Sequence, residues 1–224
     1  MFKKIKGNHM NFVYKISKLQ DRRFIWILMS VIMLSFVAIA YGFFQKYLYM
    51  QPCKQCIFIR ISMLIIALGG IIAAIKPTNI FLKFCGYILG IGASIAGIIF
   101  STKLNTIKEM IQNNKEIDLS NISGCAVSPA INLNTASQSS IMPNLFDATG
   151  GCGYDSPVVP PDTALSDLQN YFVNLYSDGW YLVPSAKFGS MASCTTFAYS
   201  LTIFLLCVML ICYIYTKFKL KMKF

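Results

Sequence analysis

Residues 51–60 read QPCKQCIFIR and carry the side chains in the sequence best suited to chemistry. Two residues separate Cys53 from Cys56, so their sulfurs can close a small ring with little chain freedom to lose. At a helix start, unpaired backbone N–H groups and the positive end of the helix dipole favour a thiolate. Pro52 restricts its predecessor and helps to keep Cys53 outside the helix. An exchangeable redox dithiol is the reading this placement favours, with a purely local staple as the alternative. Arg60 follows Cys56 at i+4, one turn along the same helix face. It can be an arginine that snorkels at a membrane edge. It can equally stabilise the sulfur anion and donate hydrogen bonds to the oxygen of a lipid-soluble acceptor.

Cys125 in NISGCAVSP and Cys152 in TGGCGYDSP stand among turn formers, which places both on loops where thiols can meet partners. A structural bridge and a redox pair are both open for them. A four-cysteine zinc site with Cys53 and Cys56 is the weaker option. Such sites use two closely spaced pairs, and Cys125 and Cys152 are far apart in sequence, so no metal is expected. Cys85, Cys207 and Cys212 fall in apolar windows and read as small, inert core residues. Cys194, in FGSMASC, is either another loop thiol or the first buried residue of a helix.

The elements that must position these groups are apolar. Of 224 residues, 55% are hydrophobic and 13% charged, against about a quarter charged in soluble domains. Windows at 24–44, 57–75, 80–100 and 195–216 are each long enough to cross a bilayer, which takes about 20 residues. The expected fold is an all-α membrane protein, a bundle of four transmembrane helices with a short first and a long second exported loop. A cleaved leader is the alternative for the first window, because Ala38-Ile39-Ala40 resembles a cleavage site, but the apolar run continues past it.

The net charge of +11 raises a nucleic-acid partner, and its distribution argues against one. Lys3, Lys4, Lys6, Lys15, Lys18, Arg22 and Arg23 precede the first window. Lys76 and Lys83 flank the turn after the second, and Lys217, Lys219, Lys221 and Lys223 follow the last. With four crossings these groups share one side, which the positive-inside rule makes cytoplasmic, next to anionic lipid. Segment 101–194 holds eight of the nine acidic residues. The expected order is a cytoplasmic N-terminal segment 1–23, a first span 24–44, and an exported loop 45–56 with the CxxC. A second span 57–75, a cytoplasmic turn 76–79 and a third span 80–100 follow. The long exported loop 101–194, the last span 195–216 and a basic cytoplasmic tail 217–224 complete the chain. Exported cysteines face a compartment that permits disulfides.

A protein that donates disulfides ends each cycle as a dithiol and must lose two electrons, and about 30 mV corresponds to roughly 1.4 kcal/mol for that couple. With no flavin or nucleotide fingerprint in the chain, the quinone pool is the acceptor such a membrane protein can reach. At this point the residues resemble a known family. PCxxC opening span two, arginine four residues later and a second cysteine pair in the loop before span four are similar to the DsbB family of quinone-dependent thiol oxidases. YLYMQPCKQCIFIR, TGGCGYDSPVVP and GWYLVPSAKF point to its DsbI branch.

The resemblance implies an enzyme with two redox-active disulfides, Cys53–Cys56 and Cys125–Cys152, and an inner-membrane location. A reduced thioredoxin-fold partner, DsbL- or DsbA-like, would attack Cys125–Cys152, with Cys125 forming the mixed disulfide. Cys152 would link transiently to Cys53, and Cys56 would pass electrons to ubiquinone or menaquinone beside Arg60. Cys194 has no place in that scheme, and the loop after Cys152 is longer than in the general oxidase. In that extra stretch Leu165, Leu168, Tyr171, Phe172, Leu175 and Tyr176 recur at helical spacing, followed by Trp180 and Tyr181. This predicts a short amphipathic helix, lying flat on the exported leaflet or packed on the loop itself. A non-enzymatic alternative is a four-span scaffold with structural disulfides in its loops, which leaves the CxxC and Arg60 unexplained.

Overall fold

The computed structural model describes residues 13–112, 145, 146, 148, 150, 151, 156–161 and 163–221. Four of its helices are long and apolar enough to span a bilayer: Arg23–Tyr47 (25 residues), Lys54–Ile75 (22), Ile80–Met110 (31) and Met191–Phe218 (28). In hydrocarbon every backbone N–H and C=O must be paired within the segment, which makes these apolar runs helical. This is the all-α membrane class expected from the sequence.

In chain order the elements are α1 (Arg23–Ile39), a π-helical continuation (Ala40–Tyr47), α2 (Lys54–Ile75), α3 (Ile80–Gln112), α4 (Asp167–Leu175), β1 (Tyr181–Val183), β2 (Phe188–Ser190) and α5 (Met191–Lys221). The turn between α2 and α3 closes locally. Asn79 N–H donates to the Lys76 carbonyl at 2.9 Å, and its side-chain oxygen accepts from Phe81 N–H at 3.1 Å, capping α3. β1 and β2 form an antiparallel hairpin in the register Tyr181↔Ser190 and Val183↔Phe188.

The described residues fall into two compact units, to which the long helices each contribute a part. One draws on Met1–Ser35, Ser62–Ile95 and Tyr199–Phe224. Its core gathers Trp26, Ala73, Ala74, Tyr87 and Leu206. The Trp26 and Tyr87 rings meet edge to face at 5.1 Å. Close helix approach needs small residues here, since a Cβ on Gly86 would lie 2.8 Å from that of Ala73. Gln20 is fully buried and ties three elements together. Its amide nitrogen donates to Met209 O, its amide oxygen accepts from Tyr87 Oη, and its backbone carbonyl accepts from Trp26 Nε1. Lys83, read from the sequence as a charge flanking the turn, is instead buried. It pairs with Asp21 and lies 4.6 Å over the Tyr213 ring.

The other unit draws on Phe36–Ile61 and Ala96–Ala198 and holds the CxxC. Phe58 of α2 stacks on Phe100 of α3 at 4.9 Å, and Ser101 is hydrogen-bonded to Thr195 of α5. The amphipathic helix expected near residue 170 is present as α4, capped by Ser166, whose hydroxyl accepts from Gln169 N–H. It packs through Phe172, edge-on to Phe43 at 5.6 Å, while Gln169 Nε2 donates to the Tyr47 carbonyl at 2.7 Å. Tyr181 is buried at the hairpin base under the Lys108 ammonium, 4.3 Å from its ring.

Candidate redox site

Pro52 and Cys53 stand just before α2, and Cys53 caps it with its sulfur. Cys56 N–H donates to Cys53 Sγ at 3.3 Å, and Ile57 N–H to the Cys53 carbonyl at 3.2 Å. Cys53 and Cys56 are free thiols whose sulfurs lie 2.9 Å apart. The capping geometry acts on acidity. The Cys53 thiol is held below its usual value, first by the hydrogen bond from the Cys56 thiol. Burial pushes it the other way, and the Cys56 and Gln55 N–H groups of the first helical turn lower it further. A local sequence feature, proline then CxxC at a helix mouth, thereby makes the Cys53 thiol more acidic than usual.

Arg60 does not snorkel. Its side chain is buried, with only 4% of the residue exposed. Nη1 donates to Gln45 Oε1 at 2.5 Å and to the Leu145 carbonyl at 3.4 Å, and Nη2 donates to the Ala40 carbonyl at 3.3 Å. Ala40 and Gln45 both belong to the π-helical stretch that ends the first span. That wider turn carries Gln45 inward and leaves the Ala40 carbonyl available to the guanidinium. The Nε–H of Arg60 is buried with no hydrogen-bond partner among the described residues. A buried donor left open costs about 1–3 kcal/mol, and an acceptor oxygen brought to it recovers that cost. The guanidinium can therefore take a ligand carbonyl on this edge, one helical turn from Cys56. This fits the oxygen of a quinone.

The sequence reading missed Gln45 and the Ala40 and Leu145 carbonyls. A lone amide closing an otherwise apolar window is the one signal that could have pointed to Gln45; backbone carbonyls carry none. Cys125 and Cys152 lie outside the described residues. The chain on either side of position 152 does meet the approach to the CxxC. Gly150 N–H donates to the Pro52 carbonyl at 3.1 Å, Val158 N–H donates to the Tyr49 carbonyl at 3.1 Å, and Met50 and Pro157 form an antiparallel bridge. Cys194 sits in the first turn of α5, with its thiol donating to the Gly189 carbonyl at 3.7 Å.

A helix-mouth dithiol stands one helical turn from a buried arginine in a chain with four helices able to span a membrane, and similarity to known proteins agrees with a redox role. Residues 22–214 match the family described as disulfide bond formation protein DsbB. The chain belongs to the DsbB family. It is 44% identical over 192 residues to the protein-disulfide oxidoreductase DsbI of Salmonella typhimurium, covering 85% of each chain. The Escherichia coli O1:K1 protein-disulfide oxidoreductase DsbI is 41% identical over 192 residues, covering 85% of this chain and 86% of that one. A Campylobacter fetus chain that carries the DsbI name is 45% identical over 213 residues, covering 95% of this chain and 96% of its own. No solved structure gives a significant match. This DsbB-family chain is thus a multi-pass membrane oxidoreductase acting on protein disulfides, and the scaffold reading falls away.

Proposed function

We propose that the chain reoxidises a dithiol protein of thioredoxin fold, DsbA- or DsbL-like, on the exported face of the inner membrane and delivers the electrons to quinone. Both termini are then cytoplasmic, and both cysteine pairs face the periplasm. The partner's thiolate attacks Cys125 of the Cys125–Cys152 disulfide, and its second thiol resolves the mixed disulfide, leaving Cys125 and Cys152 reduced. The Cys152 thiolate then attacks Cys53, the Cys53–Cys56 bond breaks, and Cys56 leaves as thiolate. Cys125 next attacks Cys152, restoring that disulfide with Cys53 as leaving group. A thiol of lowered pKa leaves faster, so the acidity of Cys53 suits this step.

Quinone, when bound, would supply a two-electron, two-proton sink. The chain's own residues prepare for it. Cys56 presents its sulfur to the acceptor, and re-formation of the Cys53–Cys56 bond releases two electrons. Arg60 would orient a quinone oxygen through its Nε–H, which is open among the described residues, with Gln45 and the Ala40 carbonyl holding the guanidinium plane. That buried arginine one turn from Cys56, with its Nε–H open among the described residues, carries the reading. The contacts of Gly150, Pro157 and Val158 with residues 49–52 support a Cys152-to-Cys53 exchange.

Thiol trapping in intact cells tests it. When a quinone-site inhibitor is added, Cys53–Cys56 should become reduced; a pair that stays oxidised would refute the proposal. Cys125→Ser should lose oxidation of a thioredoxin-fold dithiol protein yet keep quinone reduction driven by dithiothreitol. Loss of both would refute the division of labour between the pairs.

A further inference from the structure

The relay proposed above needs two disulfides on different loops to meet in a defined register, and the described residues contain a device for it. Tyr49 adopts a left-handed conformation, φ 55°, which bulky residues rarely occupy. Such a conformation persists where the surroundings enforce it. The turn opens the stretch 49–52, whose main chain is met by a second segment at three points. The Tyr49 carbonyl accepts from Val158 N–H at 3.1 Å, Met50 pairs with Pro157, and the Pro52 carbonyl accepts from Gly150 N–H at 3.1 Å. These contacts engage residues on both sides of position 152, and the accepting segment runs directly into Cys53.

Gly150 approaches that segment more closely than any other residue type could. A Cβ built on it would lie 2.5 Å from the Gln51 carbonyl oxygen, and 3.0 Å from both the Gln51 carbonyl carbon and its Cβ. The nearest of these atoms is backbone, which no rotamer change can remove. An alanine must therefore push the two segments apart and stretch or break the Gly150–Pro52 hydrogen bond.

We propose that residues 49–52 are a main-chain docking strip and that Gly150 is a positioning residue for exchange between the two cysteine pairs. Its role is separate from that of Cys56 and Arg60, since its contacts are with Gln51 and Pro52. The inference rests on the relay reading, and it predicts a defect confined to one step. A displacement of about 1 Å between reacting groups costs on the order of 100-fold in rate.

The test uses the full-length chain in detergent, fully reduced and freed of reductant, then mixed with excess quinone and quenched in acid. Maleimide labelling and peptide mapping follow each cysteine with time. In the parent chain Cys53 and Cys56 oxidise first, and Cys125 and Cys152 follow by attacking the new disulfide. In Gly150→Ala the first phase should keep the parent rate, while the second slows on the order of 100-fold. Val158→Pro, which deletes one docking N–H without adding bulk at Gly150, should slow the second phase less. Gly92→Ala, where a Cβ meets nothing within 4 Å, is the control and should match the parent in both phases. A second phase at the parent rate in both Gly150→Ala and Val158→Pro would overturn the inference, as would equal slowing of both phases in Gly150→Ala. If quinone oxidises neither pair in the parent chain, the relay itself fails, and that result is distinct from either variant outcome.

Discussion

Replacing Arg60 by methionine probes the proposed acceptor site most directly. Methionine keeps an unbranched, apolar stem of similar reach and removes every donor. A hydrogen bond from a charged group contributes about 1.5–3 kcal/mol, so the loss of one bond to a quinone oxygen should raise the half-saturating quinone concentration about 10- to 140-fold. The same change gives up the bonds to Gln45 and to the Ala40 and Leu145 carbonyls. It also removes the cost of burying a cation, which offsets part of that loss. Stability should therefore fall by less than quinone affinity. The assay follows quinol formation by absorbance in detergent, with dithiothreitol as electron donor and quinone titrated through the parent's half-saturation, beside thermal unfolding of each variant. Arg60→Lys retains the charge but not the planar fork and should recover only part of the affinity. A folded Arg60→Met variant that turns over like the parent at limiting quinone would remove Arg60 from the mechanism. Full recovery by lysine would reduce its role to charge alone.

Two further outcomes follow from the geometry. In the reduced protein Cys53 should be alkylated by iodoacetamide with a midpoint below that of an ordinary cysteine, and Cys56→Ala, which removes the largest lowering contact, should move that midpoint up. Because the folded value is the lower one, Cys53 stabilises the reduced form above its unfolded pKa, and the contribution disappears as pH falls through the folded pKa. An unchanged midpoint in Cys56→Ala would refute the assigned cause. At the other pair of note, Asp21→Ala leaves the Lys83 ammonium buried without its carboxylate and should destabilise by less than the about 3–5 kcal/mol of a fully buried pair, because Asp21 is half exposed. Lys83→Met should cost less, since it removes the buried charge altogether; thermal unfolding in detergent that ranks the two the other way would contradict this.

The limits of the sequence are clearest in residues of one type that met different fates. Lys76 at its turn and Lys83 a few residues later look equivalent along the chain, yet Lys83 is buried against Asp21, 62 positions away in sequence. Arg60 was equally consistent with the membrane edge and with a buried role. The glycines of TGGC read as turn formers, but Gly150 is constrained by the Gln51 carbonyl of a distant loop.

What the sequence determined by itself were the features governed by local composition and period. Apolar windows of sufficient length must become helices in lipid, a proline before CxxC must sit near a helix mouth, and three- and four-residue spacing of apolar side chains gave α4. The tertiary structure alone decided which polar groups converge. Gln45 and the Ala40 carbonyl come from one stretch, and Arg60 and the Leu145 carbonyl from two others, and the π-helical turn that carries the first two has no sequence signature. Hydrogen bonds between such groups depend on distances set by packing, and packing is a property of elements already assembled.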